Sequence, residues 1–322
     1  ILQHEAETDV MIRRFSPAKI NLLLRVGARL PNGYHELTTV MLPISLGDWL
    51  AVRRQPNGVT LEVHERFDFS GNSDAVSQIP TDERNLIVRI ARGFLQHCQV
   101  SAGAHFVLYK SIPAGGGLGG ASSNAAVTLL LLNELFELGW SWRKLAEFSA
   151  DYGSDIAFFT QPQAAACYGR GEVVEPFSSP STGWFVIVRP PFGLATPAVF
   201  AELAHERLGS VPIPNGSTVT SEMEQLIREL KCGWWNHVAG FLANDLQSPA
   251  VRLRPPLESV NAICNATYPV ASLMTGSGSC WYSIYRHRRQ AIWASNRLRN
   301  HQVGRVEVAR SLAMSPMKRG QA

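Results

Sequence analysis

No stretch of this 322-residue chain is apolar for long enough to cross a membrane. The longest candidate, near 125–132, contains Thr128 and stops at Asn133. No basic leader opens the chain either: the first ten residues carry Glu5, Glu7 and Asp9 and no Lys or Arg, the reverse of a secretory or transit signal. Cysteine is scarce, with five residues (Cys98, Cys167, Cys232, Cys264 and Cys280), no two of them spaced as C-x-x-C. That excludes a disulfide framework and a structural zinc site, and it points to a reducing cytoplasm. Internal repeats and low-complexity tracts are missing as well, which excludes solenoids and disordered arrays.

What is present suits a folded protein of one large or two ordinary domains: 45% hydrophobic and 17% charged residues. Met11 stands directly before "IRRFSPAKINLLL", so residues 1–11 read as a flexible extension, and 314–322 as a flexible tail. The net charge of +4 is unevenly spread. Residues 286–322 hold eight Arg and Lys318 against Glu307 alone, a net +8, leaving −4 for the remainder. Such a segment can touch nucleic acid, but no interleaved aromatic platform accompanies it. A solvated helix face is therefore the expected reading, and nucleic acid is not an expected partner.

Residues 12–26 and 48–64 have strand patterns, the second region reading as a hairpin around Pro56-Asn57-Gly58. Asn85 caps a helix with Leu86, Ile90, Ala91, Phe94 and Leu95 on one face. A strand over 103–109 feeds a glycine loop, followed by helices over 123–138 and from Ser141 to about Ala150, then strands near 164–168 and 184–189. Farther on, Thr196-Pro197 reads as a helix start, and Ser221 with Glu224 as a capping box. "ASLMTGSGSCWYSIY" reads as strand, turn and strand, 288–300 as a helix and "RVEVA" as a last strand. The natural cut between domains lies at 177–183, giving an N-terminal domain over 1–177 and a C-terminal one over 178–322.

The loop "IPAGGGLGGASSNAA" (112–126) packs five glycines into six positions. Glycine is costly to order, so the cluster implies backbone geometry other residues cannot adopt. Strand, glycine loop and helix start together aim backbone N–H groups and the positive helix end at an anion. A Walker loop is excluded, because no lysine follows any glycine here. Gly115-x-Gly117-x-x-Gly120 with Glu137 matches the dinucleotide fingerprint in letters, but helical sequence from Ser123 to Leu138 leaves no room for the second strand. The protein-kinase motifs V-A-I-K, H-R-D and D-F-G are missing. A glycine turn packing a helix on a sheet explains the glycines but not Ser122 and Ser123, whose hydroxyls could reach phosphate or magnesium.

"PAGGGLGGASSNAA" resembles the phosphate loop of the GHMP superfamily of galacto-, homoserine, mevalonate and phosphomevalonate kinases. "SPAKINLLLRVGARLPNGYHELTTVM" (16–41) and "MTGSGSC" (274–280) are similar to its flanking motifs. "PAKINL" followed by "GYHEL" looks like one branch, which phosphorylates the 2-hydroxyl of a cytidine-diphosphate-linked methylerythritol in the non-mevalonate isoprenoid pathway. "NLIVRIAR", "GSDIAFF", "AACYGRGE", "ATPAVF" and "AND" follow in order, so the resemblance covers about residues 12–285.

The resemblance implies an α+β fold of two domains, the first like domain 2 of ribosomal protein S5 and the second a ferredoxin-like GHMP kinase domain, with the site between them. It implies ATP with Mg2+, bound by Pro113, Ala114, Gly115, Gly116, Gly117, Leu118, Gly119, Gly120, Ala121, Ser122 and Ser123, with Ser122 or Ser123 as a magnesium contact. It implies Lys19 and Asp155 as the catalytic pair, although Ser154, Ile156 and Ala157 depart from the alanine, valine and proline usual around that aspartate. By itself, Asp155 reads as a turn former or cap in a non-regular stretch after a helix. For the acceptor the resemblance implies Tyr34 stacking on cytosine, His35 bonding its edge, Phe200 as an opposing wall, and Asn21 and Thr196 on the erythritol and phosphate part. Gly276, Ser277 and Gly278 form the third-motif turn, for which an ordinary hairpin turn is the plain alternative. A homoserine or mevalonate type of kinase, or a nucleic-acid-binding protein on the same scaffold, are the rival readings. Monomer and homodimer stay equally open.

Overall fold

The computed structural model of the chain describes residues 11–31, 33–65, 79–179, 182–207 and 216–312. Residues 1–10 of the expected extension, the tail 314–322, and positions 180 and 181 of the expected linker lie outside them. The first half runs β1 (Ile12–Arg29), β2 (His35–Gln55), β3 (Val59–Glu65), α1 (Leu86–His97), β4 (Gly103–Lys110), α2 (Gly120–Leu135), α3 (Trp142–Ser149), α4 (Ile156–Thr160), β5 (Ala165–Tyr168) and β6 (Val173–Pro176). The second half runs β7 (Trp184–Arg189), α5 (Thr196–Arg207), α6 (Gly216–Cys232), α7 (Trp235–Val238), a 3₁₀ turn (Ala239–Phe241), β8 (Ala243–Asn244), α8 (Gln247–Leu253), α9 (Pro256–Asn265), β9 (Ala271–Met274), β10 (Trp281–Tyr285), α10 (Arg288–Asn300) and β11 (Arg305–Arg310).

Two sheets organise these elements. The first has the order β3-β4-β2-β1-β8, with β5 and β6 branching from β2. β1 is buried without a break from Ser16 to Leu24, because both faces of the sheet are covered. One face packs against α1, α2 and α4 through Phe94, Phe106, Leu129 and Phe158. The other joins Ile20, Leu22 and Leu42 to Phe185, Tyr282 and Met223 of the second half. The second sheet is antiparallel, order β11-β7-β10-β9. In chain order its strands are arranged 4-1-3-2, with helices between the first and second and between the third and fourth, a split β-α-β pattern. The 177–183 stretch runs between β6 and β7, which belong to different sheets, yet β8 from the second half pairs with Leu23 and Leu24 of β1.

Local signals account for several boundaries. Asn85 accepts the Ile87 N–H at 3.0 Å and Ser141 accepts that of Lys144 at 3.3 Å, so both residues cap helices as read. The α10 arginines Arg288, Arg289, Arg297 and Arg299 are exposed while Ala291, Ala294 and Leu298 are buried, which is a solvated helix face.

Three expectations need correction. Pro56-Asn57-Gly58 reverses the chain, but no hairpin forms: β4 lies between the two strands, antiparallel to β2 (Trp49↔Tyr109) and parallel to β3 (Val59↔Ala104). A turn signal fixes a reversal, not a pairing partner. Gly103 lets β4 enter there, since a Cβ on it would collide with the Asn57 and Gly58 backbone. Ser221 and Glu224 lie inside α6, which begins at Gly216, so they cap nothing. Asp155 stands at the start of a short helix, α4, rather than in a non-regular stretch.

Candidate active site

The glycine loop connects β4 to α2. Gly115, Gly117 and Gly119 all have positive φ (67°, 75° and 71°), the conformation in which a side chain is strained. A Cβ on Gly117 would strike the Thr275 carbonyl oxygen, and one on Gly119 would lie 2.9 Å from the Phe159 ring and 3.1 Å from Lys19 Cγ. The loop is pinned on two sides: Leu118 O accepts the Lys19 N–H at 3.0 Å, and Gly116 O accepts the Cys280 N–H at 3.2 Å. Gly119 is the N-cap of α2 and offers no capping side chain, so the first amides of that 16-residue helix are left for a ligand.

Beneath the loop lies Lys19, 4% exposed on β1. Its Nζ donates to Asn21 Oδ1 at 2.6 Å and stands 3.9 Å from Asp155 Oδ2. Burial holds the ammonium below its usual pKa, and Asp155 is the main influence raising it back. Cys167, behind the pair, has its thiol pushed far up by burial and so remains protonated. Asp155 is partly open to the cleft, and the pair can hold a carboxylate beside an incoming hydroxyl.

A cleft of about 900 Å3 gathers most of the expected residues: Lys19, Asn21, Tyr34, His35, Gly115, Gly117, Gly119, Ser122, Asp155, Thr196, Phe200, Gly276, Ser277 and Gly278. Pro113, Gly116 and Leu118 are buried supports of the loop. Ala114, Gly120, Ala121 and Ser123 are not among the residues lining the cleft. Gly120 packs against Ile112 and the Lys110 ammonium. Ser123 is turned away: its hydroxyl is fully buried and accepts from Ser16 Oγ at 2.8 Å, because successive positions in the first turn of α2 point about 100° apart. Of the two serines, only Ser122 faces the cleft.

Asn21, on β1, lines the cleft beside Lys19. It is 3% exposed, with Oδ1 held by Lys19 and Nδ2 donating to Thr39 Oγ1 at 2.9 Å. It orients the lysine. Thr196 does not cap α5; the Ala195 carbonyl accepts the first helical bonds, and the Thr196 hydroxyl meets Ser277 Oγ at 2.7 Å. That contact joins α5 to the third-motif turn. Phe200 stacks on His35, ring centroids 5.3 Å apart, while Tyr34 is 59% exposed at the mouth. Burial, then the charges of Arg29 and Arg207, push the His35 pKa down.

Several residues of this architecture escaped the sequence reading. Thr275 receives the Asn21 N–H at 3.1 Å, and Tyr282 donates to Asn21 O at 3.0 Å, so the third-motif hairpin and β1 are locked together. Asn244 donates to the carbonyls of Met274 and Gly276, both at 2.8 Å, fixing the turn. It stands in the "AND" stretch, whose signal was visible without a role. Asp48, wholly buried, accepts from Lys110 Nζ at 2.6 Å and from the Ser111 and Ile112 N–H groups at 2.6 and 2.7 Å, staking down the root of the glycine loop. No spacing in the sequence links position 48 to 110.

Residues 85–170 match the family described as GHMP kinases N terminal domain. The chain is 30% identical over 294 residues to a 4-diphosphocytidyl-2-C-methyl-D-erythritol kinase of Macrococcus caseolyticus, spanning 90% of this chain and 95% of that one. A protein of the same name from Methylococcus capsulatus is 33% identical over 314 residues, 95% of this chain and 96% of the other. Among solved structures, a 4-(cytidine 5'-diphospho)-2C-methyl-D-erythritol kinase superposes with a TM-score of 0.72 at 30% identity, covering 93% of this chain and 99% of that one. A homoserine kinase from Cytophaga hutchinsonii reaches a TM-score of 0.70 at 14% identity, covering 97% and 98%, a likeness of fold alone. With its mixed α/β architecture, its glycine loop at the head of α2 and these relatives, the chain belongs to the 4-diphosphocytidyl-2-C-methyl-D-erythritol kinase family of ATP-dependent GHMP small-molecule kinases.

Proposed function

We propose that this chain transfers the γ-phosphoryl group of ATP to the 2-hydroxyl of 4-diphosphocytidyl-2-C-methyl-D-erythritol, with Lys19 and Asp155 as its catalytic pair. The observation that carries the reading is the shared cleft. The glycine loop at the head of α2, the Lys19–Asp155 pair at 3.9 Å and the Tyr34, His35 and Phe200 aromatics all open into it. ATP phosphates lie along the amides of 115–120, where the helix end and the glycine backbone favour anions. Asp155 receives the proton of the acceptor hydroxyl as its oxygen bonds to the γ-phosphorus, while the bond from that phosphorus to the β,γ-bridging oxygen breaks and ADP leaves with that electron pair. Lys19 stands as the counter-charge to Asp155 at 3.9 Å and offsets charge developing on the transferred group.

The aromatic end suits a cytosine: Tyr34 supplies an exposed stacking face, and neutral His35, backed by Phe200, supplies a hydrogen-bonding edge. Among the described residues no group of three or more His, Cys, Asp or Glu side chains could hold a metal ion. The donor set fits magnesium carried by the ATP phosphates, with Asp155 and the Ser122 hydroxyl within the same cleft, since Mg2+ commonly binds through one carboxylate plus phosphates. When bound, the metal neutralises phosphate charge. The 4-1-3-2 strand order supports a ferredoxin-like second domain, with the first sheet and its helices as an S5-like first domain and the division near 177–183. All five cysteines are free, as a reducing compartment requires, and the cytoplasm is the setting we propose.

The test is ATP consumption by the purified chain with 4-diphosphocytidyl-2-C-methyl-D-erythritol, beside homoserine and mevalonate. Turnover with the first alone is the expected result. Turnover with either of the others in its place would overturn the substrate reading.

A further inference from the structure

The acceptor proposed above carries, between its base and its reacting hydroxyl, a diphosphate whose charge needs an answering group. Along the cleft, the interval between Tyr34 and Asp155 is bridged by the turn joining β5 to β6. That turn is anchored where Gly169 O accepts the Leu37 N–H at 2.6 Å and the Gly171 N–H donates to Tyr168 O at 2.9 Å. A Cβ on Gly171 would lie 3.4 Å from Asp155 Oδ1, so the turn touches the reacting end. Arg170, its central residue, lines the cleft and holds its guanidinium carbon 5.4 Å from the centre of the Tyr34 ring, at the base end. We propose that Arg170 grips the diphosphate of the acceptor and so sets the distance between the stacked base and the hydroxyl delivered to Asp155.

This rests on the substrate reading given under Proposed function. Two of the other cations near the cleft are engaged in ion pairs, and the third, Arg29, bonds within its own β1–β2 turn. Lys19 is committed to Asn21 and Asp155, Arg207 to Val26 O and Asp245, and Arg29 donates to Gly33 O. Arg170 is held more loosely than Lys19 and Arg207. Its Nε meets Glu172 Oε1 at a long 3.5 Å, while Glu172 Oε2 accepts the backbone N–H of Arg170 itself at 2.5 Å. Glu172 therefore meets the guanidinium at Nε and not at its two terminal nitrogens, and a planar guanidinium lining the cleft can donate to two phosphate oxygens at once.

The experiment is calorimetric titration of the full chain with cytidine, CMP and CDP, in the parent and in Arg170→Met and Arg170→Lys. Methionine keeps an apolar stem beside Tyr34 but removes the charge. CDP affinity is expected to fall about 10- to 100-fold in Arg170→Met, the range for losing one charge-assisted pair, and less in Arg170→Lys. Cytidine affinity should remain within about twofold. An equal loss for cytidine and CDP would mean that Arg170 acts through Tyr34, and would overturn the assignment. Unchanged CDP affinity in Arg170→Met overturns it too. A parent protein that binds none of the three ligands removes the substrate reading and this assignment with it, whereas normal parent binding confines any failure to Arg170.

Discussion

Exchanging Lys19 for Met and Asp155 for Asn, singly and together, measures how far the two side chains act as one unit. Both changes keep the shape of the site: methionine retains the stem that passes beneath Gly119 and Phe159, and asparagine is isosteric with aspartate. Each single variant should lose about 10²- to 10⁴-fold in kcat, the range for removing a positioned acid–base group. Their coupling can be worked from the 3.9 Å separation. Two unit charges at that distance interact by about 4 kcal/mol at an effective dielectric near 20. Asp155 keeps 31% of its side chain exposed, so water lowers the coupling. A span of about 2–4 kcal/mol corresponds to about 30- to 1,000-fold in rate. The double variant should therefore fall short of the product of the two single losses by that factor.

Protonation adds a second readout. Burial already holds the Lys19 pKa down and Asp155 raises it, so in Asp155→Asn the ammonium should lose its proton at lower pH than in the parent. Residual activity in that variant should then decline earlier as pH rises. A buried lysine with a lowered pKa costs stability below that pKa, and the cost is relieved as pH rises toward the unfolded value. Lys19→Met should accordingly leave Tm at neutral pH unchanged or higher. The assays are single-turnover kinetics across pH, with circular dichroism to verify folding. Fully multiplicative losses would refute the idea of a unit, and near-parental kcat in either single variant would remove that residue from the mechanism.

Gly119→Val should abolish ATP binding in a folded protein, because its Cβ would press on Phe159 and Lys19 at a positive φ; equal ATP affinity by titration would count against the loop. Tyr34→Ala removes a stacking face worth about 1–3 kcal/mol by analogy with base–aromatic stacking. The acceptor KM should rise about tenfold to a hundredfold with ATP KM unmoved, and a rise in ATP KM instead would reverse the assigned ends of the cleft. His35, its pKa pushed below 6.5, should be neutral at pH 7. The acceptor KM should be flat above pH 7 and rise on acidification through the lowered pKa, and His35→Gln should remove that rise; a transition centred above 6.5 contradicts this. Asp48→Ala strands the buried Lys110 and should cost about 3–5 kcal/mol in urea unfolding, whereas a loss under about 1 kcal/mol would show that the Asp48–Lys110 pair is not structurally important.

Several outcomes were determined within a single segment, although not every local signal held, since Ser221 with Glu224 and Thr196 cap no helix. Asn85 and Ser141 start helices because a side-chain oxygen reaches an amide two or three residues on, and the alternation over 103–109 makes a strand whatever lies beside it. The glycine loop is local in the same way, since positive φ at Gly115, Gly117 and Gly119 is a demand of the backbone there. Distant pairings left no such mark. The Asn57-Gly58 turn looks the same whether its strands pair with each other or admit β4 between them, and only the packed sheet made that choice. Ser122 and Ser123 are equivalent as letters, but helix phase and the buried hydroxyl of Ser16 gave one to the cleft and the other to the core. Asp48 and Lys110, and Asn244 with the 274–276 turn, meet across dozens of residues because burying a charge or an amide requires a partner. Which partner it is depends on the chain's path through space, and only tertiary structure fixes that path.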